Sequence, residues 1–444
     1  MTSVQKWPRH VATAVAILIA ALVVSACGSS GPGSAGSGGS AAGGKGSFEI
    51  ADYGDANDTL EQTAVKMYNA TPEGHKVKAV LQTFPGANYQ QKLQTIIGTP
   101  EAPAVFFNWG AGSIQTYVKD GLLQPLNADM QANPKLKSSF LPVVMNAAKI
   151  GGNYYGIPMR GTQPVFLFYN RTVLAKYHLS PPRTWSQLLS EVQTLKSKGL
   201  IPIALGGGDQ WPELMWFEYL YDRVAGPGLI TKALAGDHSV WRSAASRKAL
   251  SDLSQLIKSG AFGHSYDSVK FTTGASTKLL VTGRSAFELM GSWEYSTAQG
   301  ISASFAKHDL GYTTFPTIPG GAGNPTDLAG NTQNYYSVLK RAPHQQAIAD
   351  FLAQMYKPKF VKALVSKGWL PTTTNATSYI KASPSPGFLS WQFARVKQAA
   401  HFQESWDQAW PPAQTTPIHN AVGSFFDNQS ASQWISAMSA LPAG

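Results

Sequence analysis

Short strand patterns and helix patterns alternate from the first folded residues onward, and this alternation restricts the chain to one fold class. Phe48 to Tyr53 and Ala104 to Phe107 are short apolar runs, and Lys76 to Leu81 alternates apolar and polar residues. Between them, apolar residues recur at helical spacing from Asp58, a candidate N-cap, to Tyr68 and again over residues 89–97. Strands separated by helices pair in parallel through right-handed crossovers. The sequence therefore predicts a doubly wound α/β lobe, in which ligands bind at the carboxyl ends of the strands.

The same alternation resumes after residue 160. Val165 to Tyr169 and residues 201–205 are predicted strands. Thr184, with Gln187 three residues later, has the pattern of a capping box, and Gly199 is placed to end the helix that Thr184 opens. After about residue 330 the chain is predicted to be mainly helical. These signals indicate a second α/β lobe.

The N-terminal segment predicts export. Lys6 and Arg9 precede an apolar run over residues 11–24, which is shorter than the roughly 17 residues of the shortest spanning helices. Small residues follow, and then Cys27, the only cysteine of the chain. This arrangement resembles the lipobox of bacterial lipoproteins, in which the cysteine is acylated and becomes the first residue of the mature protein. The alternative is an ordinary secretory signal with a chance cysteine.

The sequence after Cys27 has the composition of a tether. Gly28 to Ser47 consists almost entirely of Gly, Ser and Ala, a composition that cannot bury a core and that behaves as a flexible coil. With a single lipidated cysteine, no disulfide is expected, so that stability must come from packing. Folded sequence is predicted from about Phe48.

Charge and composition argue against nucleic acid as a partner. Charged residues make up 14% of the chain, against about 25% in an average soluble domain. The formal net charge is +11, but the Lys and Arg residues are dispersed, with no run of four or more. A nucleic-acid-binding surface needs such residues clustered on one face. We therefore interpret the charge as a solvated surface.

Several short blocks occur in an order and spacing that resemble the solute-binding proteins of carbohydrate ABC importers. The blocks are residues 88–93 (NYQQKL), 155–158 (YGIP), 168–171 (FYNR), 181–185 (PPRTW), 201–207 (IPIALGG) with Trp211, 290–294 (MGSWE) and 368–371 (GWLP). The resemblance covers about residues 48–440. It implies an α/β fold of the type II periplasmic-binding-protein class, similar to maltose-binding protein, with two lobes, three interlobe crossings and a ligand cleft between the lobes.

The resemblance also implies a domain plan and partners. We expect a signal peptide at 1–26, the lipidated Cys27 and tether at 27–47, a first lobe at 48–160 plus 318–360, and a second lobe at 161–317 plus 361–444. The implied protein is a monomer that is anchored by lipid to the outer face of the cell membrane. Its implied partners are a mono- or oligosaccharide and ABC permease subunits. No cofactor is expected.

Tryptophans supply an independent reason to consider sugar. The chain contains twelve, and four of them lie at predicted turns or strand ends: Trp109, Trp211, Trp293 and Trp369. A flat indole can cover the C–H face of a pyranose, while amides and carboxylates form hydrogen bonds with the hydroxyls of the sugar. Core packing is the alternative for each Trp alone, and Trp185, on an apolar helical stripe, is assigned to the core.

Several of the polar residues that are candidates for contacting a sugar have two possible roles. Asp209 can bind hydroxyls or cap the helix after it, and Arg160 and Gln163 can face the cleft or brace the hinge. Asp407, beside Trp406, can be a contact or a surface acid. The other candidates, taken from their neighbours or by family analogy, are Asn108, Glu294, Asn331 and Gln333.

An exported hydrolase is the rival function, because it also needs a Trp-lined cleft, together with two carboxylates. Glu288 and Glu294 are candidates in sequence only. No Gly-x-Ser-x-Gly elbow occurs, and the scattered histidines give no support to a metal site. A sensory lipoprotein that presents its ligand state to a membrane receptor is a third possibility.

Overall fold

The fold is described by a computed structural model over residues 46–54, 59–86 and 89–443. The predicted signal peptide, Cys27 and the tether up to residue 45 lie outside these residues, as do the predicted N-cap Asp58 and Asn88. Within the described ranges, no helix combines the length and hydrophobicity that crossing a membrane requires.

Two mixed β-sheets organise the described residues. In spatial order, the first sheet contains Lys78–Pro85, Ser47–Gly54, Val105–Asn108, Asn334–Val338 and Ile157–Arg160. The second contains Phe402–Glu404, Leu328–Asn331, Gln163–Asn170, Ser285–Gly291 and Ile201–Ala204, and Leu310–Thr313 also pairs with Gln163–Asn170. A separate two-stranded ladder joins Lys149–Ile150 to Asn153–Tyr154.

Helices surround both sheets. The α-helices are Thr59–Asn69, Pro72–Lys76, Tyr89–Ile96, Ala111–Lys119, Asn127–Ala132, Lys135–Ser138, Pro142–Ala147, Arg171–Lys176, Trp185–Ser197, Trp211–Ala225, Gly228–Leu234, Ala244–Lys258, Ala275–Val281, Glu294–Ile301, Ala303–His308, Gln345–Leu352, Pro358–Ser366, Ala376–Lys381, Pro386–Gln398, Trp406–Ala409, Thr415–Phe426 and Ala431–Ser439. Shorter 3₁₀ helices span Gly207–Asp209, His238–Arg242, Tyr266–Ser268, Ala353–Tyr356 and Pro412–Gln414.

The parallel pairing predicted for the first lobe is confirmed. Ser47–Gly54 lies between Lys78–Pro85 and Val105–Asn108 and pairs in parallel with both. The sheet then continues with strands the alternation did not predict, because Asn334–Val338 arrives from far along the chain and adds antiparallel to Val105–Asn108. The first sheet is therefore mixed.

Some of the predicted helix and strand ends are confirmed, and others are wrong. Thr184 caps its helix by accepting a hydrogen bond from the Gln187 amide, and Gly199 follows the helix with φ +77°. The capping box is incomplete, because the Gln187 side chain accepts from the Arg183 amide instead of the Thr184 amide. The strand expected from Lys76 begins at Lys78, because Thr71 caps a short helix that ends at Lys76.

The chain passes between the two sheets at three places within the described residues. One connection is residues 161–162, where Ile157–Arg160 leads into Gln163–Asn170, and another is residues 332–333. The third lies after helix Pro358–Ser366, and by Phe388 the chain packs on Phe168 of the second sheet. Gly161 permits a close approach at the first connection, since a Cβ there would lie 1.6 Å from the Leu370 carbonyl oxygen.

The observed connections differ from the expected lobe boundaries at two points. Leu328–Asn331, expected in the first lobe, lies in the second sheet because it pairs there with strands on both of its sides. The expected boundary after residue 360 falls inside helix Pro358–Ser366. Both differences from the expected lobe boundaries occur where the chain re-enters a sheet after a long connecting segment.

Candidate ligand-binding cleft

A cavity of about 410 Å³ lies between the two sheets and is lined from both sides. Eight of the twelve predicted site residues line it: Trp109, Arg160, Gln163, Asp209, Trp211, Trp293, Asn331 and Asp407. These residues come from six separate stretches of the chain. The fold therefore brings together most of the predicted set, and binding by each residue stays a prediction.

One side of the cavity carries a cluster of aromatic rings around Trp109. The Trp109 indole meets Phe107, Tyr53 and Tyr89 edge-on, with ring centroids 4.9, 5.6 and 6.0 Å apart. The Tyr89 hydroxyl donates to the Phe107 carbonyl oxygen at 2.6 Å, which ties the helix to the strand. This packing holds Trp109 in one orientation while part of its ring stays exposed.

The turn that presents Trp109 is built by its neighbours. Gly110 has φ +78°, a conformation that favours glycine. Asn108 Oδ1 accepts a hydrogen bond from the Gly110 backbone amide at 2.9 Å, and Asn108 Nδ2 donates one to Ser337 Oγ at 2.8 Å. Asn108 does not line the cavity, so its observed role is to shape this turn.

A second aromatic cluster lies on the other side, formed by Trp211, Phe271 and Trp293. Trp211 is 5.3 Å from Phe271 and 6.0 Å from Trp293 between ring centroids. Gly291 allows Trp293 to lie against the end of its strand, because a Cβ at Gly291 would come within 2.2 Å of the indole. The indole Nε1 of Trp211 is buried and has no hydrogen-bond partner among the described residues.

Side-chain amides form a connected row along the cavity. Gln408 Nε2 donates to Asn331 Oδ1 at 2.8 Å, and Asn331 Nδ2 donates to Gln163 Oε1 at 3.5 Å. Asn331 and Gln163 flank two of the connections between the sheets. The row therefore links the polar lining to two of the connections between the sheets.

Two carboxylates line the cavity, and each already has a polar partner. Asp209 accepts from the Thr272 amide at 2.9 Å and from the Thr272 hydroxyl at 3.0 Å. Asp407 Oδ2 lies 2.8 Å from His419 Nε2, while Asp407 Oδ1 is buried with no partner among the described residues. Each carboxylate is held in place and keeps acceptor capacity.

Arg160 is held in the wall of the cavity by a buried ion pair. Its Nε lies 2.6 Å from Glu61 Oε1, and both side chains are buried. The guanidinium carbon lies 5.0 Å from the ring centre of Phe107 and 5.1 Å from that of Trp369. Trp369 is fully buried and does not line the cavity, so its observed role is to pack against Arg160.

Two further predicted residues do not line the cavity. Glu294 is fully buried, and its Oε2 accepts from the Thr277 hydroxyl at 2.8 Å. Burial and the neighbouring carboxyl of Glu288 raise the pKa of Glu294 well above its ordinary value. Gln333 is buried at the second connection. Glu294 was predicted because it adjoins Trp293, and Gln333 by family analogy, and neither ground determines which way a side chain at a strand end faces.

Several lining residues were missed by the sequence analysis. They are Tyr53, Gln90, Gln91, Gln94, Phe107, Phe271, Thr272, Asn334, Ser405, Gln408, Thr415, Thr416 and His419, among others. Gln90 and Gln91 lie inside a block that carried the family resemblance, and Gln408 adjoins Asp407, so these had a signal. Phe271, Thr272 and His419 had none.

Glu218, which is fully buried, and Glu404, which is partly buried, accept hydrogen bonds from residues next to the polar lining. Glu218 Oε1 accepts from Ser405 Oγ at 2.6 Å and from the Trp406 amide at 2.8 Å. Glu404 accepts from the amide and the hydroxyl of Thr332. Burial raises the pKa of Glu218 and of Glu404 to about 8, so both are mainly neutral at pH 7.

Neither a three-residue metal cluster nor the Glu288–Glu294 pair is found in the cavity wall among the described residues. Within residues 46–54, 59–86 and 89–443, no group of three or more His, Cys, Asp or Glu side chains is arranged to hold a metal ion. Glu288 and Glu294, the pair on which a hydrolase depended, are both fully buried and do not line the cavity.

The sequence profile of the bacterial extracellular solute-binding protein family matches residues 52–362. This chain belongs to that family. Among curated relatives of this solute-binding protein, the melibiose/raffinose/stachyose-binding protein MelE of Bacillus subtilis is 23% identical over 327 residues, which cover 71% of this chain and 72% of MelE. The family is one of extracellular binding proteins, which places its function outside the cytoplasm.

Solved structures share the fold of the solute-binding protein. A chitin oligosaccharide binding protein superposes with a TM-score of 0.77 at 22% identity and covers 89% of this chain and 98% of that one. A sugar transporter protein of Bacillus licheniformis in complex with stachyose superposes with a TM-score of 0.68 at 17% identity, covering 89% and 99%. The predicted two-lobed type II fold is confirmed.

Proposed function

We propose that this solute-binding protein captures a mono- or oligosaccharide in the cleft and delivers it to the membrane permease of an ABC importer. The relatives named above bind melibiose, raffinose, stachyose or chitin oligosaccharides according to their names. The protein performs no chemistry of its own in this proposal. It releases an unaltered sugar to permease subunits and acts as a monomer.

The observation that carries the proposal is the pairing of two aromatic clusters with a row of amides in one cavity. Trp109 stands on one wall, and Trp211 with Trp293 stands on the other. Sugars present flat C–H faces and a rim of hydroxyls, so rings on both walls and amides between them match both parts. Such a cavity has the mixture of apolar lining and few placed polar groups that small-molecule sites use.

Unpartnered polar atoms on the lining residues support the same ligand class. Asn334 is almost fully buried, and both its amide nitrogen and its side-chain oxygen have no partner among the described residues. Gln408 Oε1 and Gln90 Oε1 are in the same situation. Buried polar groups are normally hydrogen-bonded, so a hydroxyl-rich ligand would complete them.

The N-terminal sequence supports the placement of the protein. In our proposal, Cys27 carries the lipid, and residues 28–45 are the tether between the membrane and the folded lobes. The lobes then work on the outer face of the cell membrane, near the permease.

A thermal-shift screen of the mature chain tests the proposal. The probes are melibiose, raffinose, stachyose, chitin oligosaccharides, xylo-oligosaccharides, free amino acids and short peptides. A probe at 100 times its dissociation constant should raise the free energy of unfolding by about 2.7 kcal/mol. A shift from one sugar class, with the sugar recovered intact, supports the proposal. Shifts from amino acids or peptides alone, or a sugar that is consumed, would overturn it.

Substitution of Glu218 tests whether this side chain holds the lining segment of Ser405 and Gln408 in place. Glu218→Ala should weaken the affinity for the sugar found in that screen by about tenfold, because the segment carrying Ser405 and Gln408 loses its buried acceptor. Glu218→Gln should stay close to wild type, since its amide oxygen accepts the same two bonds. Isothermal titration calorimetry gives the affinities.

The matched control for Glu218 lies on the same helix. Glu213 is also buried, burial raises its pKa to about 9, and it does not line the cavity. Glu213→Ala should lower the melting temperature without changing the affinity. Equal loss of affinity in the Glu213 and Glu218 alanine variants would mean that Glu218 acts only through stability.

A further inference from the structure

The charges of the cavity wall are not balanced. Asp209 and Asp407 are the carboxylates that line it, and Arg160 is its guanidinium. His419 lies beside Asp407, at 2.8 Å from Oδ2, so those two groups engage each other. What the cavity selects depends on whether Arg160 is available to a ligand.

Arg160 already has interaction partners within the protein. Its Nε bonds Glu61 Oε1 at 2.6 Å, and Glu61 is itself fully buried, so the positive charge is neutralised at close range. The guanidinium carbon also lies close to two aromatic rings, 5.0 Å from the ring centre of Phe107 and 5.1 Å from that of Trp369. A carboxylate-bearing ligand would have to compete with Glu61 for this charge.

The unsatisfied polar atoms of the wall are mostly acceptors. Four buried oxygens on lining residues have no hydrogen-bond partner among the described residues: Gln90 Oε1, Asn334 Oδ1, Asp407 Oδ1 and Gln408 Oε1. Outside the guanidinium of Arg160, two buried donors on lining residues have no hydrogen-bond partner among the described residues: Trp211 Nε1 and Asn334 Nδ2. A sugar hydroxyl donates to such oxygens, whereas an ionised carboxylate or a phosphate only accepts.

We infer that the cleft is selective for uncharged sugars and rejects sugars that carry a carboxylate or a phosphate, with Asp407 as a main determinant. This inference rests on the proposed function and specifies the ligand class of the same site. Asp407 lines the cavity and carries an acceptor oxygen with no partner among the described residues, so an anionic group beside it would be both repelled and left without a donor. Specificity of this kind comes from the unfavourable contact with the wrong ligand as much as from contacts with the right one.

Matched pairs of probes test the inference. At pH 8 and low salt, wild-type protein is titrated with cellobiose and cellobiouronic acid, galactobiose and digalacturonic acid, lactose and 3′-sialyllactose, and trehalose and trehalose 6-phosphate. For every pair with a binding member, the neutral sugar should bind roughly 100-fold more tightly than its anionic counterpart, because like charges across an interface are strongly unfavourable. Equal or tighter binding of the anionic member would overturn the selectivity and leave the sugar-binding function standing. Binding of none of the probes, neutral or anionic, would count against both.

Variants assign the selectivity to its source. Asp407→Asn keeps the side-chain oxygen and removes the charge, and it should reduce the ratio between neutral and anionic affinities by about tenfold. Asp252 is an equally buried acid that pairs with Lys248 and lies outside the cavity lining, so Asp252→Asn should leave the ratio unchanged. If Asp407→Asn does not fold, Asp209→Asn serves in its place. An unchanged ratio in a folded cavity variant, or an equal change in Asp252→Asn, would overturn the assignment.

Discussion

Replacing Trp293 with alanine is expected to weaken sugar binding by about 10- to 100-fold, which corresponds to roughly 1.4 to 2.7 kcal/mol. Trp293 lines the cavity beside Trp211, with 9% of its surface exposed, and Gly291 leaves the space for its indole. Its removal would take away the stacking surface on that wall and leave a void. Titration calorimetry with the sugar identified by the thermal-shift screen measures the change.

A tryptophan outside the cleft provides the matched control for Trp293. Trp391 is also partly buried, packs on Phe166 with ring centroids 4.6 Å apart, and does not line the cavity. Trp391→Ala should lower the melting temperature and leave the affinity close to wild type. Unchanged affinity in Trp293→Ala, with a lowered melting temperature, would show that Trp293 serves only the core.

The protein is expected to lose stability as the pH rises from 6 to 9. Burial raises the pKa of Glu218, Glu288 and Glu404 to about 8 in the folded state, against an ordinary value of 4.5. Between these two values the folded protein binds protons that the unfolded chain does not bind. The free energy of unfolding therefore falls with pH, and the contribution that is complete below about 4.5 is lost as the pH passes through 8.

The size of the effect follows from the number of groups. For each group, the free energy of unfolding falls by about 1.4 kcal/mol per pH unit up to about pH 8 and levels off above it, and the sum is reduced by relaxation of the buried sites. A fall in melting temperature on the order of 5 °C or more between pH 6 and pH 9 is the expected result for a chain of this size. Differential scanning calorimetry at constant ionic strength measures it.

Single substitutions identify the groups responsible for the pH dependence. Glu404→Gln removes one ionisable group while keeping an acceptor for Thr332, so the dependence on pH should become shallower. Glu101 is exposed, and a hydrogen bond from the Thr99 hydroxyl lowers its pKa, so Glu101→Gln should not alter the slope between pH 6 and 9. A melting temperature that is flat or rises over this range would contradict the prediction.

Much of the fold was predictable because local patterns report on local structure. The alternation around Phe48 to Tyr53 correctly predicted a parallel strand, and Thr184 correctly predicted a helix start. The assignment of Leu328–Asn331 to the second sheet was not predictable, because its partners, Phe402–Glu404 and Gln163–Asn170, are distant in the sequence. Loop composition does not report which of two sheets a returning strand will join.

The candidate site was predictable to the extent that residue type limits the chemistry. Tryptophans at strand ends and glycine turns led to Trp109, Trp211 and Trp293, all of which line the cavity. Trp369 was predicted on the same grounds and Glu294 because it adjoins Trp293, but each is buried against partners that lie elsewhere in the chain. Whether a side chain at a strand end faces the cleft or the core depends on those partners.

The sequence by itself determined the α/β class, the order of the elements and the supply of aromatic and amide side chains, because periodicity and residue chemistry are local properties. The tertiary structure decided which of those side chains share one cavity. It placed Glu61 against Arg160 across 99 residues of sequence, and Gln408 against Asn331 across 77. It also set Glu218 behind Ser405. Such pairings depend on which surfaces the lobes bury together, and that packing is settled only when the whole chain folds.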